Sequence, residues 1–325
     1  MIAVKKSSIR LWSKIGSRAA FGMGILELAK SGRDFYALSA DLGNSSGLAR
    51  FREEFPDKFI NMGIAEQNMI GVAAGLAKDG TPVFVTSFAP FISFRAGEQI
   101  RMNLGYMNLN IKAVGLGSGV VMAHLGDSHY GLEDVAVLRA IPNMLIVSPA
   151  DCTSIIKAVE KLVDYDGPAY LRLTGGTDNP IVYKEDFEFT LGKANVLRQG
   201  DDIAIIAAGT MVHKALQAAE LLAQKGIEAA VADMHTIKPL DKACLDKFLQ
   251  HKLLVTVEEH TVCGGLGSAV AEYLAAKRNK PPQLIIGIED FFPHAGDYNY
   301  LLEQCGLSEK QIAEKILRQI LKGSC

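Results

Sequence analysis

Glu66 stands in Asn61-Met62-Gly63-Ile64-Ala65-Glu66-Gln67-Asn68, where an apolar helix begins. One reading is a carboxylate in a first helical turn, where the helix macrodipole favours negative charge. The other is a carboxylate held in a strand-to-helix crevice to hydrogen-bond a ligand nitrogen, its pKa raised by burial. Phe88, Phe91 and Phe94 recur at i, i+3 and i+6, with Arg95 following. That spacing suits a core stripe, but at a strand end an aromatic face can also stack on a flat heterocycle. His124 and His129 share a glycine-flanked loop with Asp127 and Ser128. Such a loop suits either proton transfer or two structural histidines. Asp41 and Ser45 lie in another polar loop, Ser39 to Gly47, as turn residues or ligand contacts. Arg18 and Arg172 are anion contacts or ordinary surface arginines.

The phosphate-cradle patterns are weak. Gly115-Leu116-Gly117-Ser118-Gly119 and Gly264-Gly265-Leu266-Gly267 are glycine-rich, yet neither completes GxGxxG. No Walker A lysine motif, HExxH or GxSxG occurs.

The elements that must position these residues alternate between strand and helix. Ser17 to Ser31 has helical apolar spacing, Phe35 to Ser39 reads as a strand, and Phe59 to Met62 is a short apolar run. The helix Ala65 to Lys78 closes at Asp79-Gly80, and Pro82 to Thr86 is the next strand. Ile111 to Val114, Leu132 to Arg139, Met144 to Val147, Cys152 to Val163 and Ala169 to Leu173 continue the pattern. Thr174 to Leu191 breaks it with glycines, Asn179, Pro180 and a charged run, as a linker does. A second alternation follows: strand Ile203 to Ala208, helix Val212 to Gln224, strand Ala229 to Ala232 and helix Asp241 to Gln250. Strand Leu253 to Glu258, helix Gly267 to Lys277, strand Gln283 to Gly287 and a helix from Ser308 complete it. The expectation is an α/β protein of two three-layer α/β/α domains with mostly parallel sheets, 1–175 and 192–325, joined by 176–191. Ligands of such sheets bind beyond the carboxyl ends of the strands, where the polar loops of the first domain lie.

Length and composition set the bounds. At 325 residues, 49% hydrophobic and 22% charged, the chain can bury two sizeable cores. A net charge of -2 gives no electrostatic footprint for nucleic acid or an anionic membrane. Apolar runs are of strand length, and no apolar h-region follows Lys5, Lys6 and Arg10, so neither a span nor a signal peptide is expected. Five dispersed cysteines (Cys152, Cys244, Cys263, Cys305, Cys325) without a CxxC pair favour reduced thiols in a cytoplasmic protein.

Read together, GIAEQN (63–68), FAPFISFRAGEQIR (88–101), SHYGLED (128–134), LRAIPNM (138–144) and EEHTVCGGLGSAV (258–270) resemble the C-terminal part of transketolase. That is the thiamine-diphosphate (ThDP) enzyme of two-carbon transfer, and the resemblance runs along essentially the whole chain. It implies that Glu66 hydrogen-bonds N1′ of the cofactor's aminopyrimidine and promotes loss of the thiazolium C2 proton. It also implies that Phe91 and Phe94, with Phe88, line the pyrimidine pocket and that Asp41 lies near the cofactor. His129 and His124 would face the donor sugar, while Arg18, Ser45 and Arg172 would contact a sugar phosphate.

The family's other half binds the diphosphate through Mg²⁺ with a Gly-Asp-Gly, and no Gly-Asp-Gly occurs in this chain. The resemblance therefore implies a split enzyme, in which a separate diphosphate-binding subunit holds the Mg²⁺ and an α₂β₂ assembly forms. Two departures bear on the substrate. Leu125 stands where relatives commonly have an aspartate on a donor hydroxyl, and the run Leu173-Thr174-Gly175-Gly176 after Arg172 carries none of the polar side chains that commonly follow in relatives. The alternatives are a deoxyxylulose-phosphate synthase-like or 2-oxoacid dehydrogenase β-like subunit, or a scaffold subunit without catalysis.

Overall fold

The computed structural model describes residues 2–323, so Met1, Ser324 and Cys325 fall outside the described residues. The first half runs α1 (Lys6–Ile15), α2 (Ser17–Lys30), β1 (Tyr36–Ser39), α3 (Ala49–Glu54), β2 (Phe59–Asn61), α4 (Glu66–Lys78) and β3 (Val83–Phe88). It continues with α5 (Gly97–Ile100), β4 (Ile111–Leu116), α6 (Asp134–Arg139), β5 (Leu145–Val147), α7 (Cys152–Val163) and β6 (Ala169–Arg172). The second half holds β7 (Asn195–Arg198), β8 (Ile203–Ala207), α8 (Met211–Ala223), β9 (Ala229–Asp233), β10 (Thr236–Lys238) and α9 (Lys242–Lys247). It closes with β11 (Leu253–Thr261), α10 (Leu266–Ala275), β12 (Gln283–Ile288), α11 (Tyr298–Gln304) and α12 (Glu309–Gly323).

Two mostly parallel sheets result. The larger has the order β10-β5-β6-β4-β3-β1-β2, and the smaller β12-β11-β8-β9-β7. Only β10 on β5 and β7 on β9 are antiparallel. In the larger sheet, side chains alternate between two cores, as a strand period of two requires. Val83 and Val85 pack with Met69 and Ala73 of α4, while Phe84 packs with Phe21 and Ile25 of α2. Helices therefore cover both faces, which lets these strands be apolar throughout. In the smaller sheet, Ile203 and Ile205 face Val212 and Ala215 of α8, whereas Ala204 and Ile206 face the side of Leu266 and Val270.

Most expected elements form, with ends shifted by one or a few residues. Six were not foreseen: α1, α3, α5, β7, β10 and α11. Helices α1 and α2 meet at Gly16, whose φ is +85°, and a Cβ there would overlap the Gly176 carbonyl. The linker carries no helix or strand, but it is held down. Asp151 caps α7 by accepting from Ser154 N at 2.8 Å, and its other oxygen accepts from Val182 N and Tyr183 N, both at 2.8 Å. Strand β10 lies beyond the linker in sequence yet pairs with β5, so the expected domain boundary is stitched across by backbone hydrogen bonds.

Candidate active site

Glu66 is the first residue of α4, entered from β2 through Gly63 at φ +67°. Its side chain is 2% exposed. The Ser87 hydroxyl, near the end of β3, donates to Oε1 at 2.9 Å, and Arg95 Nη1 donates to Oε2 at 2.8 Å. Burial is the largest influence on this carboxyl and pushes its pKa up. The Arg95 hydrogen bond, the helix-start backbone and Ser87 together outweigh it, and the net direction is down. The expected rise therefore does not occur in this chain. Because α4 starts at the carboxyl edge of the sheet, Glu66 is at once a first-turn carboxylate and a carboxylate in a strand-to-helix crevice.

Three rings gather beside it. Phe88 ends β3, and Phe91 opens a single wide turn, Phe91–Arg95, closed by Ala96 N donating to Phe91 O at 3.2 Å. The His129 ring lies 5.5 Å from Phe88 and 5.4 Å from Phe91, edge to face in both cases. Arg95 lies over the Phe91 ring at 4.1 Å. The wide turn breaks the i, i+3, i+6 register, so Phe94 is 55% exposed and outside this ring cluster.

The remaining residues occupy the surrounding loops. Half-buried His129 shares a hydrogen bond of 2.9 Å between its Nδ1 and the Ser128 hydroxyl, and His124 is exposed on a one-turn helix of the same loop. Asp41 is exposed at φ +57° and is tied to Asn61: Asn61 Nδ2 donates to Asp41 Oδ1 at 3.0 Å, and Asp41 N donates to Asn61 Oδ1 at 3.1 Å. Asn61 Oδ1 also accepts from Gly63 N at 3.1 Å, so it links the Asp41 loop to the approach to Glu66. Ser45 is exposed. Arg18, half-buried on α2 where that helix meets the Gly47 loop, has no carboxylate partner among the described residues, and burial lowers its pKa.

Arg172 corrects the sequence reading. It is 3% exposed at the end of β6, where its Nε donates to Asp134 Oδ2 at 2.9 Å. Its Nη2 donates to Gly131 O at 3.0 Å and Glu259 O at 2.9 Å. A guanidinium committed to a buried carboxylate and two carbonyls is neither a surface arginine nor a ready phosphate contact. Sequence reasoning gave no role to Ser87, Arg95, Asn61 or Glu259. Arg95 was visible as the cation closing the phenylalanine run; the others depend on pairings distant in sequence.

The residues present suit an aminopyrimidine. A carboxylate removed from water and held by two donors can share a proton with a ring nitrogen, and the ring cluster offers an aromatic face. Comparison with known proteins agrees. Residues 13–176 match the model of the transketolase pyrimidine-binding domain, and residues 192–312 match the transketolase C-terminal domain. The chain belongs to the transketolase family.

It is 41% identical to a putative transketolase C-terminal section of Methanocaldococcus jannaschii, over 94% of this chain and 97% of that one. It is 42% identical to an apulose-4-phosphate transketolase subunit of Phocaeicola vulgatus, over 95% and 98%. Among solved structures, a split-gene transketolase described as an inactive beta4 tetramer superposes with a TM-score of 0.84 at 38% identity, covering 94% of this chain and 97% of that one. This transketolase section thus comprises the pyrimidine-binding and C-terminal domains, and it matches these relatives over nearly their whole length. The pyrimidine-binding domain implies ThDP. No helix among the described residues is long and apolar enough to cross a membrane.

Proposed function

We propose that this chain is the pyrimidine-side subunit of a two-chain transketolase that moves a two-carbon ketol unit from a ketose donor to an aldose acceptor. The observation that carries the reading is a buried, donor-held Glu66 beside Phe88, Phe91 and His129 in a chain without Gly-Asp-Gly. A second subunit supplies the diphosphate half and its Mg²⁺, and the two form an α₂β₂ complex. Ile64 and Phe94, close in sequence to Glu66 and Arg95, are 78% and 55% exposed, an apolar surface suited to a partner. Among the described residues, Cys152, Cys244, Cys263 and Cys305 are free thiols; we place the protein in the cytoplasm on its dispersed cysteines.

Bound ThDP supplies the carbon nucleophile for ketol transfer. Glu66 holds the proton shared with the aminopyrimidine nitrogen, and Ser87 keeps one carboxylate oxygen in place. Phe88 and Phe91 give the ring a face, Phe94 adds apolar surface at the rim, and Asp41 borders the cofactor. His129 moves protons at donor hydroxyls, and His124 lies on the same loop. Arg18 and Ser45 take the phosphate of the sugar. Leu125, 51% exposed between the two histidines, offers no polar contact to a donor hydroxyl, which favours a donor other than the ordinary pentose phosphates.

The test is reconstitution with candidate diphosphate-half subunits, measuring ThDP- and Mg²⁺-dependent ketol transfer over a panel of sugars. Activity is expected only from the complex; robust activity of this chain alone would sink the two-chain reading. Glu66→Gln is expected to lower turnover of the complex by roughly 10²–10⁴-fold, the usual contribution of acid–base catalysis. Unchanged turnover would favour a scaffold without catalysis.

A further inference from the structure

We propose that the second domain sets the position of the loop carrying His129, and that Glu259 is the positioning residue through which it does so. The catalytic meaning of that loop rests on the function proposed above, whereas the positioning itself rests on geometry alone.

The segment from Val120 to Tyr130 is a closed loop. Its neck is a pair of hydrogen bonds, Gly119 N to Gly131 O at 2.8 Å and Gly131 N to Gly119 O at 3.0 Å. Beyond the neck lie only two one-turn helices, Ala123–Leu125 and Asp127–His129, with the Tyr130 hydroxyl donating to Ala123 O at 2.6 Å. A loop built this way takes its direction from its neck.

The neck is fastened to β11 of the second domain. Glu259 Oε1 accepts from Val120 N at 2.8 Å. Its Oε2 accepts from the Thr210 and Tyr298 hydroxyls, both at 2.8 Å, so the carboxylate is itself fixed from the heads of α8 and α11. On the other side of the neck, Arg172 Nη2 bridges Gly131 O and Glu259 O, and Thr261 N donates to Leu132 O at 2.8 Å. Contact is close enough that Gly119, at φ +76°, could not carry a Cβ, which would overlap the Glu259 carboxylate.

Glu259 is 1% exposed, and burial pushes its pKa up. A buried carboxylate is a costly way to fill space that an apolar side chain could fill. What an apolar side chain cannot do is aim an acceptor at Val120 N and hold the neck in one register. The outcome is read at His129, whose ring packs on Phe88 and Phe91 beside Glu66. Glu259 touches none of these rings and acts only through the loop.

The test combines amide hydrogen exchange on the chain with kinetics and ThDP affinity of the reconstituted complex, for Glu259→Ala, Glu259→Gln and Gly119→Ala. In Glu259→Ala, amides 120–131 should exchange about tenfold faster or more, the loss of a charge-assisted hydrogen bond, while α8 and the body of β11 keep their rates. Turnover should fall roughly 10–100-fold through misplacement of His129, with ThDP affinity unchanged, because Glu66 is untouched. A general loss of structure would move both. Glu259→Gln should restore most of the turnover, since its carbonyl can face Val120 and its amide can donate to hydroxyls that turn to accept.

Wild-type loop exchange in a folded Glu259→Ala protein would overturn the proposal, as would Glu259→Gln impaired as deeply as Glu259→Ala. If Glu259→Ala does not fold, Gly119→Ala strains the same contact from the loop side, and unchanged exchange there overturns it equally. A loosened loop in a chain that no partner activates would support the positioning and overturn the function. An active complex whose turnover ignores a loosened loop would leave the two-chain function standing and overturn the claim that Glu259 positions His129 for turnover.

Discussion

Among the described residues of the first domain, two arginine–carboxylate pairs have a buried carboxylate. In Arg95–Glu66 the arginine side chain is 44% exposed, and in Arg172–Asp134 it is 3% exposed. Arg95 can itself reach solvent, so a ligand nitrogen that hydrogen-bonds Glu66 can take its place without leaving the arginine buried and unpaired. The buried Arg172 cannot. Removing one partner of a buried pair leaves the other charge uncompensated, at a cost of about 3–5 kcal/mol. Arg172→Ala is therefore expected to lower the melting temperature by roughly 6 °C or more. It should also change KM for phosphorylated and unphosphorylated sugars by the same factor. A selective rise in KM for the phosphorylated sugar, in a protein of unchanged stability, would restore Arg172 as a phosphate contact. Glu66, Phe88, Phe91 and His129 were legible because their types stand out at strand ends. The fate of Arg172 was not, because Asp134 and Glu259, which hold it, are 38 and 87 residues away.

Strands buried on both faces, such as β3 and β8, read as continuous apolar runs and were legible to within a few residues. A three-residue strand has no period to detect, so β10 became visible only through its pairing with β5. The linker looked loose for a similar reason: its anchors lie elsewhere. Besides the Asp151 contacts, its Tyr183 hydroxyl donates to Asp233 Oδ2 at 2.7 Å, at the end of β9. Burial pushes the Asp233 carboxyl up to about 8. A carboxyl raised in this way contributes its full stability below the unfolded value of about 4 and loses it as pH rises towards about 8. The fold should therefore be stabilised at pH 8 by Asp233→Asn, which cannot ionise, and affected much less at pH 4.5. Thermal melts at the two values check this, with a gain at pH 8 of about 1 kcal/mol or more, or roughly 2–4 °C. A variant equally destabilised at both values would mean that Asp233 is ionised in the native protein and needed as an anion.

The sequence divides this chain in two; its surface does not. The accessible area is 13,626 Å². One globular body of 35.1 kDa should expose about 13,100 Å², and two separate bodies of half that mass about 15,800 Å². The two sheets are therefore packed as one body, and the contacts agree. One hydrophobic core runs from Met69 and Ile146 of the first domain to Met234, Ile237 and Leu266 of the second. The main chain is joined as well, with Ser148 N donating to His235 O at 2.7 Å and Gly209 N to Ser148 O at 3.1 Å. Cutting the chain after Leu191 would strip β10 from β5, leaving an apolar three-residue edge unpaired, and would remove Glu259 from the neck of the His129 loop. The fragment 1–191 is thus expected to aggregate or to melt without cooperativity, while the full chain melts in a single transition. Size-exclusion chromatography and thermal melts of the two proteins side by side decide the matter. A monomeric fragment melting cooperatively within about 5 °C of the full chain would make the second domain an accessory to the first. The expected failure would instead make it part of the frame on which Glu66 and His129 are brought together.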